Sequence, residues 1–346
     1  MSAGRTIEIV GAGPAGLAAA ITLARRGLRP VVWERQAEVG ARFHGDFQAI
    51  ENWTLDKDAL EELGEIGIDG SFCHALVREG VFFDAAGRAR TVRSRRPAFY
   101  LVRRGPEPGT LDRALERQAL EAGVEIRYGR ACPELPEPAI VASGPRRSDA
   151  VDVGYVFETD HADGVWAVFS ERIAPGGYGY LLIAGGRGTV ASCLSADFRR
   201  ANVYLGRTLE FFRGAVPFRM EAPRRFGGTG NVHWPSKARL GSRLFAGEAA
   251  GFQDALWGFG IRCAIVSGHL AATALADGTP EAYDRLWRRR LGGLIATSLA
   301  NRRLFRWVGD AGYALMLRRM ARQDGREFLG RLYAPSWWKR IFAFAF

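Results

Sequence analysis

Three glycines and one acid carry the first chemical signal in this chain. Gly11, Gly13 and Gly16 stand in the run Gly-Ala-Gly-Pro-Ala-Gly, and Glu34 follows Gly11 by 23 residues. A pyrophosphate needs backbone N–H groups with no side chains in the way, and a ribose needs a carboxylate for its hydroxyls. The first glycine permits the tight turn, the second the approach of the phosphates, and the third close helix–strand contact. The surrounding elements must hold these residues together. Thr6–Val10 reads as a buried strand, Leu17–Arg26 as an Ala-rich helix ended by Gly27, and Pro30–Trp33 as the next strand, closing on Glu34. The amino end of that helix adds free N–H groups and the positive end of its dipole. Strand, glycines, helix, strand and acid in this order specify a dinucleotide-binding unit. Ala15, inside the turn, and Arg35, just after the acid, join the candidate contacts. These residues alone leave NAD and FAD both open.

A second constellation follows far along the chain. Ser242–Ala246 is a short apolar strand, broken by Gly247-Glu248-Ala-Ala-Gly251. Gly258, Phe259, Gly260 and Ile261 then open a small-residue helix that reaches about Leu275. A carboxylate at a strand end, followed by backbone N–H groups at a helix start, can hold ribityl hydroxyls and the edge of a flavin ring.

The segment GEAAGFQDALWGFGIRCAIVSGHLAA, residues 247–272, resembles the "GDAAGF-x-D-P-x-x-G-x-G-I-x-x-A-x-x-SG" signature of the geranylgeranyl reductase family. The amino-terminal GAGPAG form resembles the ADP-binding half of FAD oxidoreductases of the glutathione reductase superfamily. The wider relatives are the aromatic-hydroxylase-type flavoproteins, and the resemblance covers roughly residues 5–275. It implies noncovalent FAD. Gly247 and Glu248 take the place of the Gly-Asp pair that faces the ribityl and pyrophosphate groups. Gly258, Phe259, Gly260 and Ile261 take the place of the backbone that meets the isoalloxazine. Arg42 and Arg104 are placed beside the cofactor, although Arg104 also reads as one exposed arginine among the seven from Arg88 to Arg104. The chain departs from the family at Glu248 for Asp, Ala255 for Pro, and Trp257 for a smaller residue. His44, in Arg42-Phe43-His44-Gly45, falls where the reductases often carry a cysteine, and the resemblance makes it a candidate proton donor. Pro175-Gly-Gly-Tyr178-Gly-Tyr180 resembles their "PGGYxWxFP" turn, with Tyr180 for Trp. Tyr178, Tyr180 and Trp257 are therefore expected to line a channel for an apolar chain, or to pack the sheet.

The implied activity is that of an FAD-dependent oxidoreductase on an isoprenoid or lipid-like substrate, most simply reducing carbon–carbon double bonds. The electron donor stays open between NAD(P)H and ferredoxin. Two alternatives remain on sequence grounds. One is an FAD-dependent monooxygenase of a small aromatic or polyketide-like substrate; the other is a non-catalytic prenyl-binding protein on the same fold. Against the hydroxylases, the strand at Ile140–Gly144 lacks the Asp that their "ADG" ending carries.

The rest of the chain predicts the frame. Val81–Val92 reads as a hairpin turning near Gly87, and much of 152–220 alternates like an antiparallel sheet. Leu181–Gly188 begins like a second dinucleotide turn, but strand-like Thr189–Leu194 follows, so it reads as a hairpin and not as an NAD(P)H domain. The expected fold is α/β. An FAD-binding Rossmann-like domain (1–70, 98–150 and 226–279) is interleaved with an antiparallel substrate-covering sheet (71–97 and 151–225). A basic helical segment, 280–346, follows.

Composition narrows the partners. With 346 residues, 47% hydrophobic and 25% charged, the chain is built to fold around a core, which excludes disordered and disulfide-scaffold classes. Its four cysteines are widely spaced, and His74, His161, His233 and His269 show no metal spacing, so no metal site is expected. The net charge is +11, but from Glu281 onward there are 14 Lys or Arg against 5 Asp or Glu. Charge gathered in one segment does not suggest nucleic acid. That segment also holds Trp287, Trp307, Trp337 and Trp338 and ends in Phe-Ala-Phe-Ala-Phe, a composition suited to peripheral membrane contact or to a helical cap on the fold. No apolar run of about 18 residues occurs, and a cytoplasmic protein with membrane association is the expectation.

Overall fold

Short runs of Ile, Val and Trp build the central sheet. The computed structural model describes residues 6–235 and 238–344. Thr6–Val10, with Ile7 and Ile9 fully buried, lies parallel between Arg29–Trp33 and Ala139–Val141. Glu125–Arg127 extends the sheet beyond Arg29–Trp33, and Arg243–Phe245 extends it beyond Ala139–Val141; both additions are parallel. Arg239–Leu240 closes the edge in the antiparallel sense. Because the inner strands run together, Gly11, Glu34, Ala142 and Ala246 all emerge at one edge. The register pairs Val10 with Trp33, which sets Gly11 beside Glu34. The carboxyl edge of a parallel sheet is where such folds hold ligands.

A seven-stranded sheet stands apart from it. Its order is Glu221–Gly230, Ala150–Glu158, Arg187–Leu194, Tyr178–Ala184, Gly164–Val168, Glu79–Phe83 and Ala89–Arg93. All neighbours are antiparallel except Gly164–Val168 with Glu79–Phe83. Residues 181–194 form the hairpin that the sequence indicates. Gly185 and Gly186 both take positive φ (56° and 74°) in its two-residue turn, the form whose twist suits paired strands. The expectation of sheet across 152–220 needs one correction. Ala201–Ala215 is a helix that lays Tyr204, Leu205, Thr208 and Phe212 on the sheet. Those four positions recur at helical spacing.

Three strands, Phe47–Glu51, Phe99–Arg103 and His74–Val77, make a small sheet between the two larger ones. His74–Val77 thus pairs with Phe99–Arg103 and not with the long sheet, while Glu221–Gly230 belongs to the long sheet.

The helix Ile261–Ala276 is tied down by a buried ion network. Arg262, itself 3% exposed, donates to Glu51 and Glu62, and its Nη2 also donates to Thr54 Oγ1 at 2.9 Å. Arg290 reaches the other oxygen of Glu62. Strand 47–51, helix Ala59–Glu65 and helix 261–276 are locked to each other through one guanidinium.

Most of the basic segment packs as a cap. Its helices are Tyr283–Arg290, Gly292–Met320, Gly325–Tyr333 and Trp337–Phe344, the second kinked at Gly309 (φ 52°, ψ −146°). Tyr283 and Trp287 are fully buried, and the Tyr283 hydroxyl donates to the Phe245 carbonyl at 2.8 Å. Arg326 donates to the carbonyls of Asn52 and Leu55. Trp307, Trp337, Trp338 and Ile341 are exposed. The side chains of the closing Phe-Ala-Phe-Ala-Phe lie outside the described residues.

Candidate cofactor and substrate site

The glycine turn is organised by the acid that follows it. The Ala12 N–H donates to Glu34 Oε2 at 2.9 Å, and the Gln36 N–H donates to Oε1 at 2.9 Å. Gly16 has no alternative, since a Cβ there would sit 1.9 Å from the Gly11 carbonyl oxygen. Gly13 is different: a Cβ added to it meets nothing within 4 Å. It opens onto the cavity, and a side chain there would fill the space a phosphate needs. Gly13 also caps the helix Pro14–Arg25 without any side-chain bond, with Pro14 in its first turn, so the amino end is left free for an anion. Ala15 and Arg35 line the same cavity.

The second motif faces the first across this space. Gly247, Glu248, Gly258, Phe259, Gly260 and Ile261 all line the cavity. Arg42 Nη2 lies 3.7 Å from Glu248 Oε2. Burial pushes the Glu248 carboxyl up, opposed by Arg42 and Arg104. Arg104 is not an exposed arginine: it is 5% exposed and doubly bonded to Asp112, Nε to Oδ2 at 2.9 Å and Nη2 to Oδ1 at 2.8 Å. Its guanidinium also donates to Gln48 and stacks on Phe43, 4.1 Å from the ring centre. Phe259 is fixed edge-on by Trp53 and Phe99, at centroid separations of 4.8 and 5.7 Å. Asp254 shapes the loop between Gly247 and Gly258. It accepts from the Leu256 and Trp257 N–H groups and from the Tyr333 hydroxyl at 2.7 Å, and burial pushes it up to about 7.

The cavity, of about 590 Å³, runs on from these residues beneath the long sheet. That volume is in the range of cofactor and small-molecule sites. Phe82, Phe169, Tyr178, Tyr180, Leu182 and Trp257 line the far part, which reaches Met316, Met320 and Leu329 of the terminal helices. Tyr178 donates to the Trp257 carbonyl at 2.5 Å. Tyr180 donates to Asp152 Oδ2 at 2.6 Å. His44 is placed differently from the others. It does not line the cavity; its Nδ1 lies 3.1 Å from Arg224 Nη2 at the surface, while its N–H donates to Asp46. The turn at 42–45 therefore offers Arg42 and Phe43 to the cavity and points His44 toward the strand Glu221–Gly230.

Several residues had no functional signal in the sequence. Asp152 sits in an ordinary alternating strand, and only its pairing opposite Cys193 brings it near Tyr180. Met316 and Met320 belong to a helix that reads as a cap. Asp254 did carry a signal, as the Asp of the "GF-x-D" motif.

FAD fits this site by its donor set and shape. The open position at Gly13, the free helix end, the carboxylate at Glu34 and the facing glycines at 247 and 258 form a continuous cradle. Trp257 Nε1 and Gln253 Oε1, both on cavity-lining residues, are buried without a protein partner, as groups awaiting a ligand would be. Among the described residues no cluster could hold a metal ion, and the four cysteines are free.

Comparison with known proteins agrees with this geometry. The NAD(P)-binding Rossmann-like domain family matches residues 9–57. Digeranylgeranylglycerophospholipid reductase 2 of Methanothermobacter thermautotrophicus is 29% identical over 177 residues, 45% of this chain and 43% of that protein. The chain thus spans less than half the length of that relative in the matched region. The digeranylgeranylglycerophospholipid reductase of Methanocaldococcus jannaschii is 21% identical over 88% of the chain and 87% of its own length. In structure, the geranylgeranyl bacteriochlorophyll reductase-like protein of Thermoplasma acidophilum superposes with a TM-score of 0.74 at 19% identity, covering 99% of this chain and 96% of that one. Fold and site together define an α/β protein with a Rossmann-like nucleotide-binding part and a site that fits FAD. The relatives and the solved structure that this chain is similar to are reductases of geranylgeranyl compounds or are described as reductase-like, and the likeness to the solved structure extends over nearly the whole fold.

Proposed function

We propose that this protein reduces carbon–carbon double bonds in an apolar, isoprenoid or lipid-like substrate. The observation that carries the reading is the composition of the cavity beyond the cofactor cradle, where aromatic and aliphatic side chains run from Trp257 to Met320. Such a wall offers large contact area and few polar demands. The names of the archaeal relatives, both reductases of geranylgeranyl lipids, point the same way. Bound FAD would supply the hydride. The chain's own task is to hold the substrate's double bond against the cofactor and to keep water away. Tyr178 serves that task from both ends, packing on Phe169 and Trp257 while its hydroxyl is tied to the Trp257 carbonyl. Electrons would come from NAD(P)H or a ferredoxin; the glycine run at 185–188 closes a hairpin. The exposed tryptophans and arginines of the terminal helices support a peripheral contact with anionic membrane, from which such a substrate would enter. No helix among the described residues is long and apolar enough to cross a membrane.

The test is anaerobic. Holoenzyme reduced with dithionite should be reoxidised by geranylgeraniol in detergent micelles, with mass spectrometry showing added hydrogen and no added oxygen. Turnover that requires oxygen and inserts it would make the protein a monooxygenase instead.

A further inference from the structure

Asp152 is an acid of the cavity wall that belongs to neither nucleotide-binding motif. It lies in Ala150–Glu158, between Arg187–Leu194 and Glu221–Gly230. Its Oδ2 accepts from Tyr180, and its Oδ1 is buried with no protein partner. Tyr180 is also where this chain departs from the tryptophan of the reductases' turn. The ring of Tyr180 lies 5.9 Å from that of Tyr178, whose hydroxyl is bonded to the Trp257 carbonyl, one residue before Gly258. A continuous line of contacts therefore joins Asp152 to the backbone that resembles the isoalloxazine-facing segment. His44, the other candidate acid, points away from this space.

The groups around Asp152 favour its neutral form. Burial is the main cause, with Asp46 adding repulsion and Tyr180 opposing, and the carboxyl is pushed up to about 7. Cys193, directly across the strand pair, is itself pushed up to about 12 by burial and by Asp152, so it brings no charge. Tyr178 and Tyr180 are held well above their ordinary value by burial. The facing residue on the other neighbouring strand is Gly228. With Oδ2 accepting from Tyr180, the proton of the neutral acid resides on the unpartnered Oδ1.

We propose that Asp152 is the proton donor for double-bond reduction, with Tyr180 as its positioning residue; this rests on the function proposed above. Saturating a double bond takes up one hydride, supplied by the reduced flavin, and one proton, supplied by Asp152. Two C–H bonds replace the π bond, the olefin is reduced and the flavin oxidised. Asp152 is left as carboxylate and is reprotonated from water. A carboxyl with its pKa near working pH suits this role.

The experiment uses FAD-loaded wild type, Asp152→Asn and Tyr180→Phe. Each is reduced with dithionite without oxygen and mixed with geranylgeraniol in micelles across pH. Wild-type reoxidation should slow as the pH rises through about 7. Asp152→Asn should be slower by about 100-fold or more, the usual contribution of a positioned acid, with flavin content and melting temperature retained. Tyr180→Phe removes a bond that favours the carboxylate, so it should move the alkaline limb to higher pH, which a purely structural role would not do. Infrared spectra of the same proteins without substrate give a second readout. Below that pH the neutral-carboxyl band should be stronger in wild type than in Asp152→Asn, by the contribution of one acid. Asp254 is retained in both, so the difference isolates Asp152. Wild-type rates in Asp152→Asn, or a difference spectrum showing Asp152 ionised in mild acid, overturn the assignment. If the infrared result holds but geranylgeraniol never reoxidises the wild type, the double-bond reading has failed and the donor role falls with it.

Discussion

At the scale of single residues, what could be read from the sequence was whatever depends on residue type at fixed local spacing. Gly11, Gly13, Gly16 and Glu34 belong here, because their tasks are set within one βαβ unit. Glu34→Ala should weaken FAD retention by about 1–3 kcal/mol, the scale of hydrogen bonds to a charged acceptor. Fluorescence of released flavin during dialysis measures this, and unchanged affinity would falsify the ribose assignment. The same experiment on wild type checks noncovalent binding, since acid precipitation should release the flavin into the supernatant. The raised titration of Asp152 and Asp254 was not legible, because burial in the folded chain causes it. Both have folded-state values raised to about 7 against an ordinary 3.8. The unfolded chain therefore loses these protons first as pH rises. The stability they contribute is full below the ordinary carboxylate value and is lost progressively up to about 7. Melting temperature should accordingly fall over that window in wild type and fall less in Asp152→Asn. Parallel melting curves for the two proteins would remove Asp152 from the group of neutral acids.

Elements were legible where periodicity is local, and illegible where their partners are distant. The first βαβ unit, the hairpin at Gly87 and the hairpin at Gly185–Gly186 lie where the sequence places them, each marked by its own turn residues. The helix Ala201–Ala215 is not legible inside a region of alternating strands, since its buried stripe is only four residues long. His74–Val77 reads as part of the substrate sheet, but Phe99–Arg103 captures it. Arg262 gave no sequence signal, because its partners Glu51 and Glu62 lie about two hundred residues earlier. Its loss has a definite cost. Arg262→Ala leaves two acids of 2% and 0% exposure facing one another, and only Glu62 keeps Arg290. Breaking a buried pair by removing one partner costs roughly 3–5 kcal/mol, so thermal or urea unfolding should show a loss of that size together with weaker flavin retention. The second effect follows because Arg262 directly succeeds Ile261 at the cofactor cradle. A variant as stable as wild type would mean that the two acids take up protons without penalty.

At the scale of the whole molecule, the terminal segment has two faces with different physical demands. One face is a cap: Tyr283, Trp287 and Tyr333 are buried, and Tyr333 reaches Asp254 in the flavin motif. That half explains the apolar stripe and accounts for Trp287 without any membrane. The other face is not explained by packing. Trp307 is 83% exposed and Trp337 76% exposed, with Trp338 and Ile341 beside it in the sequence of the last helix. Arginines dominate the charge of the same segment, and Met316 and Met320 carry the apolar cavity to these helices. On the function proposed above, a lipid-borne substrate would pass from an anionic bilayer to the cavity without crossing water. Each Arg near such a surface adds about 1 kcal/mol, and exposed charge is screened over about 10 Å at 0.1 M salt. The full-length protein should therefore co-sediment with phosphatidylglycerol vesicles at low salt and dissociate as salt is raised. It should bind phosphatidylcholine vesicles weakly. Replacing Trp307 and Trp337 together with alanine should reduce binding while leaving FAD in place, because neither side chain supports the cradle. Deleting 336–346 should act in the same direction, although it also removes Lys339, which donates to the carbonyls of Leu332 and Ala334. The tryptophan pair is thus the cleaner probe. Indifference of the wild type to anionic vesicles at low salt would leave the exposed face as a contact for another protein chain.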